Sequence, residues 1–225
     1  MKKINLLIIS VALILSACTN NNTYKTPETE MEKVSYSLGV NMASSVKSQG
    51  LESIDANSVA KASNDVFEGN DLDISEEESM NILQDFFGKL QAKKSEKANE
   101  EGMNYLTENA QKEGVITTES GLQYEVLVSG KGEKPTTNDQ VTVHYHGMLI
   151  DGSVFDSSID RGQPATFGVT QVIKGWTEAL QLMSIGDKWK LTIPSNLAYG
   201  DQGAGGMIGP GETLIFEVEL LSINK

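Results

Sequence analysis

The order of hydrophobic and polar positions divides the chain into a helical part and a part rich in strands. Up to about residue 111, apolar residues recur every three or four positions, as on one face of an α-helix. From Val115 onward, segments such as GLQYEVLV, DQVTVHYHGML and ETLIFEVELLSI alternate apolar and polar residues, as half-exposed β-strands do. We therefore predict an α+β protein with helices first, then an antiparallel β domain that contains one short helix after Gly175.

Two helices are predicted near the start of the folded chain. The first begins at Met31 and closes near Gly50, and the second begins with Asp55 or Asn57 as its N-cap and closes at Gly69. The first helix carries one apolar stripe, formed by Met31, Val34, Leu38 and Met42. Such a stripe is the face with which a helix packs against a partner.

A single long helix is predicted from about Ser75 to about Gln111. Ser75 is followed three residues later by Glu78, the capping-box pattern, and no proline interrupts the segment. At about 1.5 Å per residue it would be roughly 55 Å long, too long to be buried along its whole length in a small domain. The large apolar residues end near Leu90, so we expect a packed first half and a solvated second half, with a bend at Gly102.

The extreme N-terminus is expected to direct the protein to the bacterial cell envelope. Two lysines precede an apolar run that is too short to span a membrane comfortably and that ends in LSAC. This ending resembles a lipobox, in which the chain is cleaved before a cysteine that then carries lipid. We expect lipid on Cys18 to anchor the protein to the outer membrane, facing the periplasm; a plain secretory signal is the alternative. Cys18 is the only cysteine, so no internal disulfide forms.

Charge and motif content exclude several functions. The net charge of −13 argues against a nucleic-acid partner, which requires a basic face. The glycine-rich segment GAGGMIGPG lacks the lysine and the following helix of a phosphate-binding loop. His144 and His146 share one strand face, but no cysteine or acidic residue stands at ligand spacing beside them. We therefore predict no metal and no cofactor, and the scarcity of histidines disfavours a Ser/His/Asp hydrolase.

Three motifs of the β part resemble the FK506-binding-protein (FKBP) family of peptidyl-prolyl isomerases. They are VTVHYHGMLIDGSVFDSS, QVIKGWTEALQLMSIGDKWKLTIPSNLAYG and GPGETLIFEVELL. They occur in the family's order and near its spacing, and the resemblance covers about residues 116–225. The preceding part, with KVSYSLGVNM and the long helix, looks like the dimerisation region of the macrophage-infectivity-potentiator (Mip) type. The resemblance implies a half-wrapped antiparallel sheet around one short helix.

The resemblance also implies an apolar pocket that binds proline. We interpret the segment VIKGWTEAL as the end of a strand, a turn and a short helix, and Trp176 in that turn would be the pocket floor. Tyr145 and Asp156 would stand at a polar rim. The backbone N–H of Ile173 and the hydroxyl of Tyr199 would donate hydrogen bonds to the substrate. The other wall positions are Phe155, Phe167, Val172, Ile173, Ile208 and Phe216.

A peptidyl-prolyl isomerase is the function that the resemblance implies. The X–Pro bond rotates over a barrier of about 18–20 kcal/mol because twisting it destroys amide resonance. The pocket would lower this barrier by removing water from the amide and by fitting the twisted state. Its substrates would be proline-containing unfolded or partly folded exported proteins, and FK506- or rapamycin-like macrolides would inhibit it. A chaperone or binding module with little catalysis is the alternative.

Five segments follow from these expectations. They are a lipoprotein signal peptide at 1–17, a flexible tether at 18–30, a helical dimerisation domain at 31–92, a linker helix at 93–115 and the isomerase domain at 116–225. A helical domain of about sixty residues has a marginal core on its own. We therefore prefer a homodimer through residues 31–92 over a monomeric three-helix bundle.

Overall fold

The computed structural model describes residues 25–224 and separates into two compact units, with the division after Asp55. Helix α1 (Glu30–Ser48) belongs to the first unit. The second contains α2 (Ala56–Glu68), α3 (Glu76–Asn109), α4 (Lys174–Leu182) and all described strands. The expected signal peptide and Cys18 lie outside the described residues. No helix within residues 25–224 has the length and apolar character needed to cross a bilayer.

Helix α1 starts at a capping box. The Oγ1 of Thr29 accepts a hydrogen bond from the backbone N–H of Glu32, and the Glu32 carboxylate accepts from the N–H of Thr29 at 2.8 Å. These bonds satisfy N–H groups that the first turn of a helix leaves unpaired. None of the α1 residues is buried, so its predicted apolar stripe faces solvent in a single copy of the chain.

Helix α3 confirms the predicted long helix but reverses the predicted burial. Within one copy of the chain the first half is not packed, because Ile82, Leu83 and Phe86 are 47–53% exposed. The buried residues lie in the second half, which packs against the β domain: Ser95, Ala98, Gly102 and Asn109. They are small or polar, so they give no hydrophobic signal in the sequence.

Gly102 permits a close approach and does not interrupt the helix. A Cβ atom added at this position would collide with the side chain of Thr213, at the start of the last strand. A few residues further on, the side-chain amide of Asn109 donates to the Oε1 of Gln123 at 2.9 Å. The Nε2 of Gln123 in turn donates to the carbonyl of Leu106 at 2.8 Å. The end of α3 is thus bonded to the sheet through polar groups.

The sheet confirms the predicted antiparallel β domain. Six of its seven strands follow the order β1-β2-β6-β7-β3-β4, and the seventh, β5, pairs with β3 outside this order. Their bounds are β1 Val115–Thr117, β2 Gln123–Val128, β3 Gln140–Leu149, β4 Val154–Ser157, β5 Ala165–Gly168, β6 Lys188–Ile193 and β7 Leu214–Asn224. On β3 every second side chain from Val141 to Tyr145 is buried, as the alternation predicts.

Helix α4 packs on the buried face of the sheet and closes the core. Its buried apolar side chains are Trp176, Ala179 and Leu180. They form one hydrophobic core with side chains of the central strands. Gly175 lets the helix approach β6, since a Cβ there would lie 2.5 Å from the Ile193 side chain. The helix therefore sits close enough to the sheet for its first turn to form the base of a cleft.

Candidate active site

An open cleft of about 620 Å³ lies between the first turn of α4, the sheet and the segment that follows β6. Cavities of this size hold a small ligand or a short stretch of peptide. Its lining includes every pocket and rim residue proposed from the sequence: Tyr145, Phe155, Asp156, Phe167, Val172, Ile173, Trp176, Tyr199, Ile208 and Phe216. It also includes four residues that sequence reasoning missed: Gln171, Ala204, Gly205 and Met207.

Trp176 occupies the centre of the aromatic lining and is only 4% exposed. Three rings meet it edge to face, with centroid distances of 5.5 Å to Tyr145, 5.9 Å to Phe167 and 5.2 Å to Phe216. Edge-to-face contacts favour a single orientation of the rings. The indole is therefore held as a rigid surface at the base of the cleft.

The local structure around Trp176 differs from the sequence interpretation in one respect. Val172 and Ile173 do not end a strand, because β5 stops at Gly168 and both residues lie in the loop before α4. Trp176 consequently lies in the first helical turn. The branched side chains are half-buried because they line the cleft, and this gives the loop a strand-like composition.

A glycine shapes the opposite wall. Phe155 and Phe216 form an edge-to-face pair with centroids 5.4 Å apart. A Cβ atom at Gly147 would lie 2.7 Å from the ring of Phe155 and 2.8 Å from that of Phe216. Such distances are too short for a carbon contact, so only glycine on β3 leaves room for this wall.

The polar rim is a network of three side chains. The hydroxyl of Tyr145 donates to the carboxylate of Asp156 at 2.5 Å. Arg161 pairs with the same carboxylate, donates to the Tyr145 oxygen at 2.7 Å, and lies over the Tyr145 ring. Arg161 was not assigned from the sequence. Its one signal is its place in the turn after β4, five residues beyond Asp156.

This network changes the acidity of both partners. Burial acts to raise the pKa of Asp156, but hydrogen bonds from Tyr145 and Arg161 and the guanidinium charge outweigh it, so the pKa lies below its ordinary value. Burial raises the pKa of Tyr145, and its bond to the carboxylate raises it further. The rim therefore holds an ionised carboxylate beside a neutral phenol at neutral pH.

The two proposed donors belong to residues on different segments of the cleft lining. Ile173 directly precedes α4, and no residue between 25 and 224 accepts a hydrogen bond from its backbone N–H. Tyr199 is 40% exposed and lies on the side formed by the segment after β6. Its hydroxyl likewise has no bonded partner within this described range. Both groups are available to a ligand in the cleft.

Comparison with known proteins shows which family has this arrangement of cleft and fold. Residues 131–221 match the sequence family described as "FKBP-type peptidyl-prolyl cis-trans isomerase", and residues 31–126 match the "domain amino terminal to FKBP-type peptidyl-prolyl isomerase". The chain is 41% identical to "Outer membrane protein MIP" of Legionella longbeachae, over all of this chain and 98% of that protein. It belongs to the FKBP-type isomerase family.

Two further relatives extend along most of this FKBP chain. The "FKBP-type 22 kDa peptidyl-prolyl cis-trans isomerase" of Escherichia coli K12 is 44% identical, over 89% of this chain and 99% of that one. The crystal structure of FkpA from Escherichia coli covers 88% of this chain and 99% of its own, with a TM-score of 0.63 and 36% identity. The similarity therefore includes the helical part as well as the β domain.

The two histidines of this FKBP domain lie on the face of β3 opposite to the cleft. The Nδ1 of His144 is 3.2 Å from the Oγ of Ser158, and the Nδ1 of His146 is 3.0 Å from the Oγ of Ser157. Alternation along β3 places them away from Tyr145, as the sequence predicts. Among residues 25–224, no group of three or more histidine, cysteine or acidic side chains is arranged to hold a metal.

Proposed function

We propose that the cleft catalyses cis-trans isomerisation of X–Pro bonds in exported proteins and thereby assists their folding. The main support for this proposal is the aromatic cleft with one fixed, ionised carboxylate at its rim. Isomerisation requires rotation about a partial double bond and needs neither a nucleophile nor proton transfer. Membership of the FKBP-type isomerase family supports the same activity.

The apolar lining acts on the amide through desolvation and shape. The proline ring would rest on Trp176, between the rings of Phe167 and Phe216, which already hold the indole in place. An amide that loses water in this way loses part of the stabilisation of its planar, charge-separated form. The twisted state is less polar, so the cleft favours it relative to the ground state.

The polar groups orient the substrate. We assign the N–H of Ile173 and the hydroxyl of Tyr199 as donors to substrate carbonyls, because both lie at the cleft without a bonded acceptor in the described range. Asp156 acts as a fixed charge, since its lowered pKa and two donors disfavour a role in proton transfer. FK506- or rapamycin-like macrolides would compete for the same lining.

The helical part would form a homodimer through residues 31–92. This is supported by the exposure of the apolar stripe on α1 and of Ile82, Leu83 and Phe86 on α3, which a second copy would cover. The linker helix would begin at residue 93, and the isomerase segment would span residues 116–225. Lipid on Cys18 would anchor the dimer at the outer membrane; the name of the Legionella relative, "Outer membrane protein MIP", favours that location.

The activity is tested with the chain that starts after Cys18. Isomerisation of proline tetrapeptides is measured by protease-coupled absorbance, with and without an FK506-like macrolide. We expect catalysis that the macrolide abolishes. Suppression of client aggregation without any isomerisation would contradict this proposal and favour a chaperone with an FKBP fold.

A further inference from the structure

One wall of the cleft has little regular structure of its own. Between Tyr199 and Gly211 it contains a single 3₁₀ turn, Gly200–Gln202, one pair of hydrogen bonds between Ala204 and Ile208, at 2.9 and 3.0 Å, and one bond that joins Gly211 to Gly200. Tyr199 and Ile208 nevertheless both line the cleft. A segment with so few internal bonds takes its position from what it packs against.

Ser95 of α3 is bonded to this wall. Its hydroxyl, in a residue only 5% exposed, donates to the carboxylate of Asp201 at 2.5 Å and accepts from the amide of Asn99 at 3.1 Å. The Nε2 of Gln91 donates to the backbone carbonyl of Asp201 at 2.7 Å. Asp201 follows Tyr199 by two residues, so α3 holds both the side chain and the backbone of the turn that carries Tyr199.

The same part of α3 also contacts both ends of the wall. The Oδ1 of Asn99 accepts from the hydroxyl of Ser195 at 2.6 Å, just before the wall begins. At its far end, Gly211 has a φ of 78°, and a Cβ there would lie 2.5 Å from the carbonyl oxygen of Ser95. The backbone N–H of Gly211 donates to the carbonyl of Gly200 at 2.9 Å, and this bond joins the two ends of the loop. The helix therefore fixes the wall at three places.

We propose that Ser95 is a positioning residue for isomerisation, which acts through Asp201 on Tyr199 and the adjoining wall. This inference rests on the proposed function, since it concerns the same cleft. The wall is placed by α3, and α3 precedes the segment 131–221 that matches the isomerase family. The complete active site thus includes residues 91–99 of the helix in addition to the β domain.

The test compares Ser95→Ala with Thr107→Ala in the chain that starts after Cys18. Thr107 is an exposed α3 residue whose hydroxyl bonds only the carbonyl of Met103, so its loss removes a hydroxyl from the same helix without touching the wall. The readouts are kcat and KM on tetrapeptides that differ before proline, and thermal unfolding. We expect Ser95→Ala to lower kcat/KM about three- to tenfold, with a changed preference before proline. Thr107→Ala should match the wild type.

A double-mutant cycle separates positioning from a general loss of structure. Asp201→Ala alone should reproduce the Ser95→Ala defect, and the double variant should be no slower than the slower single variant, because both remove one bond. Multiplied effects, or wild-type kinetics in Ser95→Ala, would overturn the inference. If Ser95→Ala does not fold, wild-type kinetics in Asp201→Ala would overturn it equally. A wild-type chain without isomerase activity would instead contradict the proposed function.

Discussion

At the scale of single residues, the rim behaves as a fixed charge beside apolar walls. Asp156 accepts a hydrogen bond from Tyr145 and pairs with Arg161. Its carboxylate is therefore fixed in orientation, and its lowered pKa keeps it ionised. A fixed charge near an apolar surface acts more strongly on a neighbouring amide than the same charge in water. The rim should therefore influence the rate more than the stability of the fold.

Replacement of Asp156 tests this role. Asp156→Asn keeps the shape but removes the charge, and we expect kcat/KM on a proline tetrapeptide to fall about tenfold, which corresponds to about 1.4 kcal/mol of lost transition-state stabilisation. Asp160→Asn changes an exposed carboxylate of the adjacent turn and should leave the rate unchanged. Equal activity of all three proteins would remove Asp156 from the site.

The two tryptophans provide an internal comparison. Trp176 lines the cleft, whereas Trp189 stacks on Tyr124 with centroids 4.3 Å apart and does not line it. Both are nearly buried, so Trp176→Leu and Trp189→Leu should each reduce the free energy of unfolding by about 2–4 kcal/mol. Only Trp176→Leu should lose most of its kcat/KM, measured at a temperature at which both variants are folded. Parallel losses of activity would show that Trp176 has a packing role only.

The residues of the cleft differ in how far the sequence reveals them. Eight of the ten proposed positions lie in the three motifs, whereas Phe167 and Ile208 lie outside them and came from the family resemblance alone; the structure brings all ten together. Arg161 was missed because an ion pair between a turn and a strand end leaves no periodic pattern. Met207 was missed as a lining residue because a glycine-rich loop does not specify its own path.

At the scale of elements, α3 shows where hydrophobic patterning fails. Large apolar residues predict which face packs, but the docked face uses Ser95, Ala98 and Gly102, whose burial depends on close approach and hydrogen bonding. The pattern did predict the apolar face of the first half, which one copy of the chain leaves exposed. The helix itself was predictable from its composition and N-cap. Its contacts were not, because they depend on where the segment between Tyr199 and Gly211 lies.

Glu212 should make the stability of the fold dependent on pH. Burial raises the pKa of Glu212, and the charges of Asp151 and of Glu101 on α3 raise it further. The ionised form is therefore disfavoured in the folded protein. Protonation stabilises the fold fully below the ordinary glutamate pKa, and this contribution is lost as pH rises through the raised value.

Glu212→Gln removes the charge that the fold disfavours. The variant should melt about 2 °C higher than the wild type at pH 7, and the difference should disappear as the pH falls below the ordinary glutamate pKa. Glu108→Gln, a change of an exposed glutamate on α3, provides the control and should show no comparable gain. A constant difference across this pH range would contradict the assignment to Glu212.

At the scale of the whole molecule, the proposed dimer gives one assembly two clefts. A tetrapeptide occupies one cleft, but an unfolded protein offers several prolines along one chain. A second cleft on the same assembly raises the effective concentration for a second contact. Dimerisation should therefore matter for protein substrates and not for short peptides.

A charge pair in the apolar stripe of α1 tests the consequence of dimerisation. Leu38→Glu with Met42→Lys places opposite charges four residues apart, which preserves the helix but opposes its burial. Sedimentation should show monomers that retain the tetrapeptide rate and lose several-fold in accelerating proline-limited refolding. The same pair at Ser44 and Ser48, on the exposed polar side, should leave the dimer intact. Unchanged refolding activity in a verified monomer would contradict the idea.

The bond between Ser95 and Asp201 also determines how inhibitors of this protein should be found. A fragment of residues 116–225 lacks α3, so in a screen against it the segment between Tyr199 and Gly211 would lose its contacts with the helix. The Asp201 carboxylate would then be exposed to solvent. Compounds that need the ordered loop would be discarded in such a screen, and compounds that reshape it would fail against the intact protein. The protein used in a screen should therefore begin before Gln91. Compounds that extend past Tyr199 toward α3 could also contact polar groups of the helix.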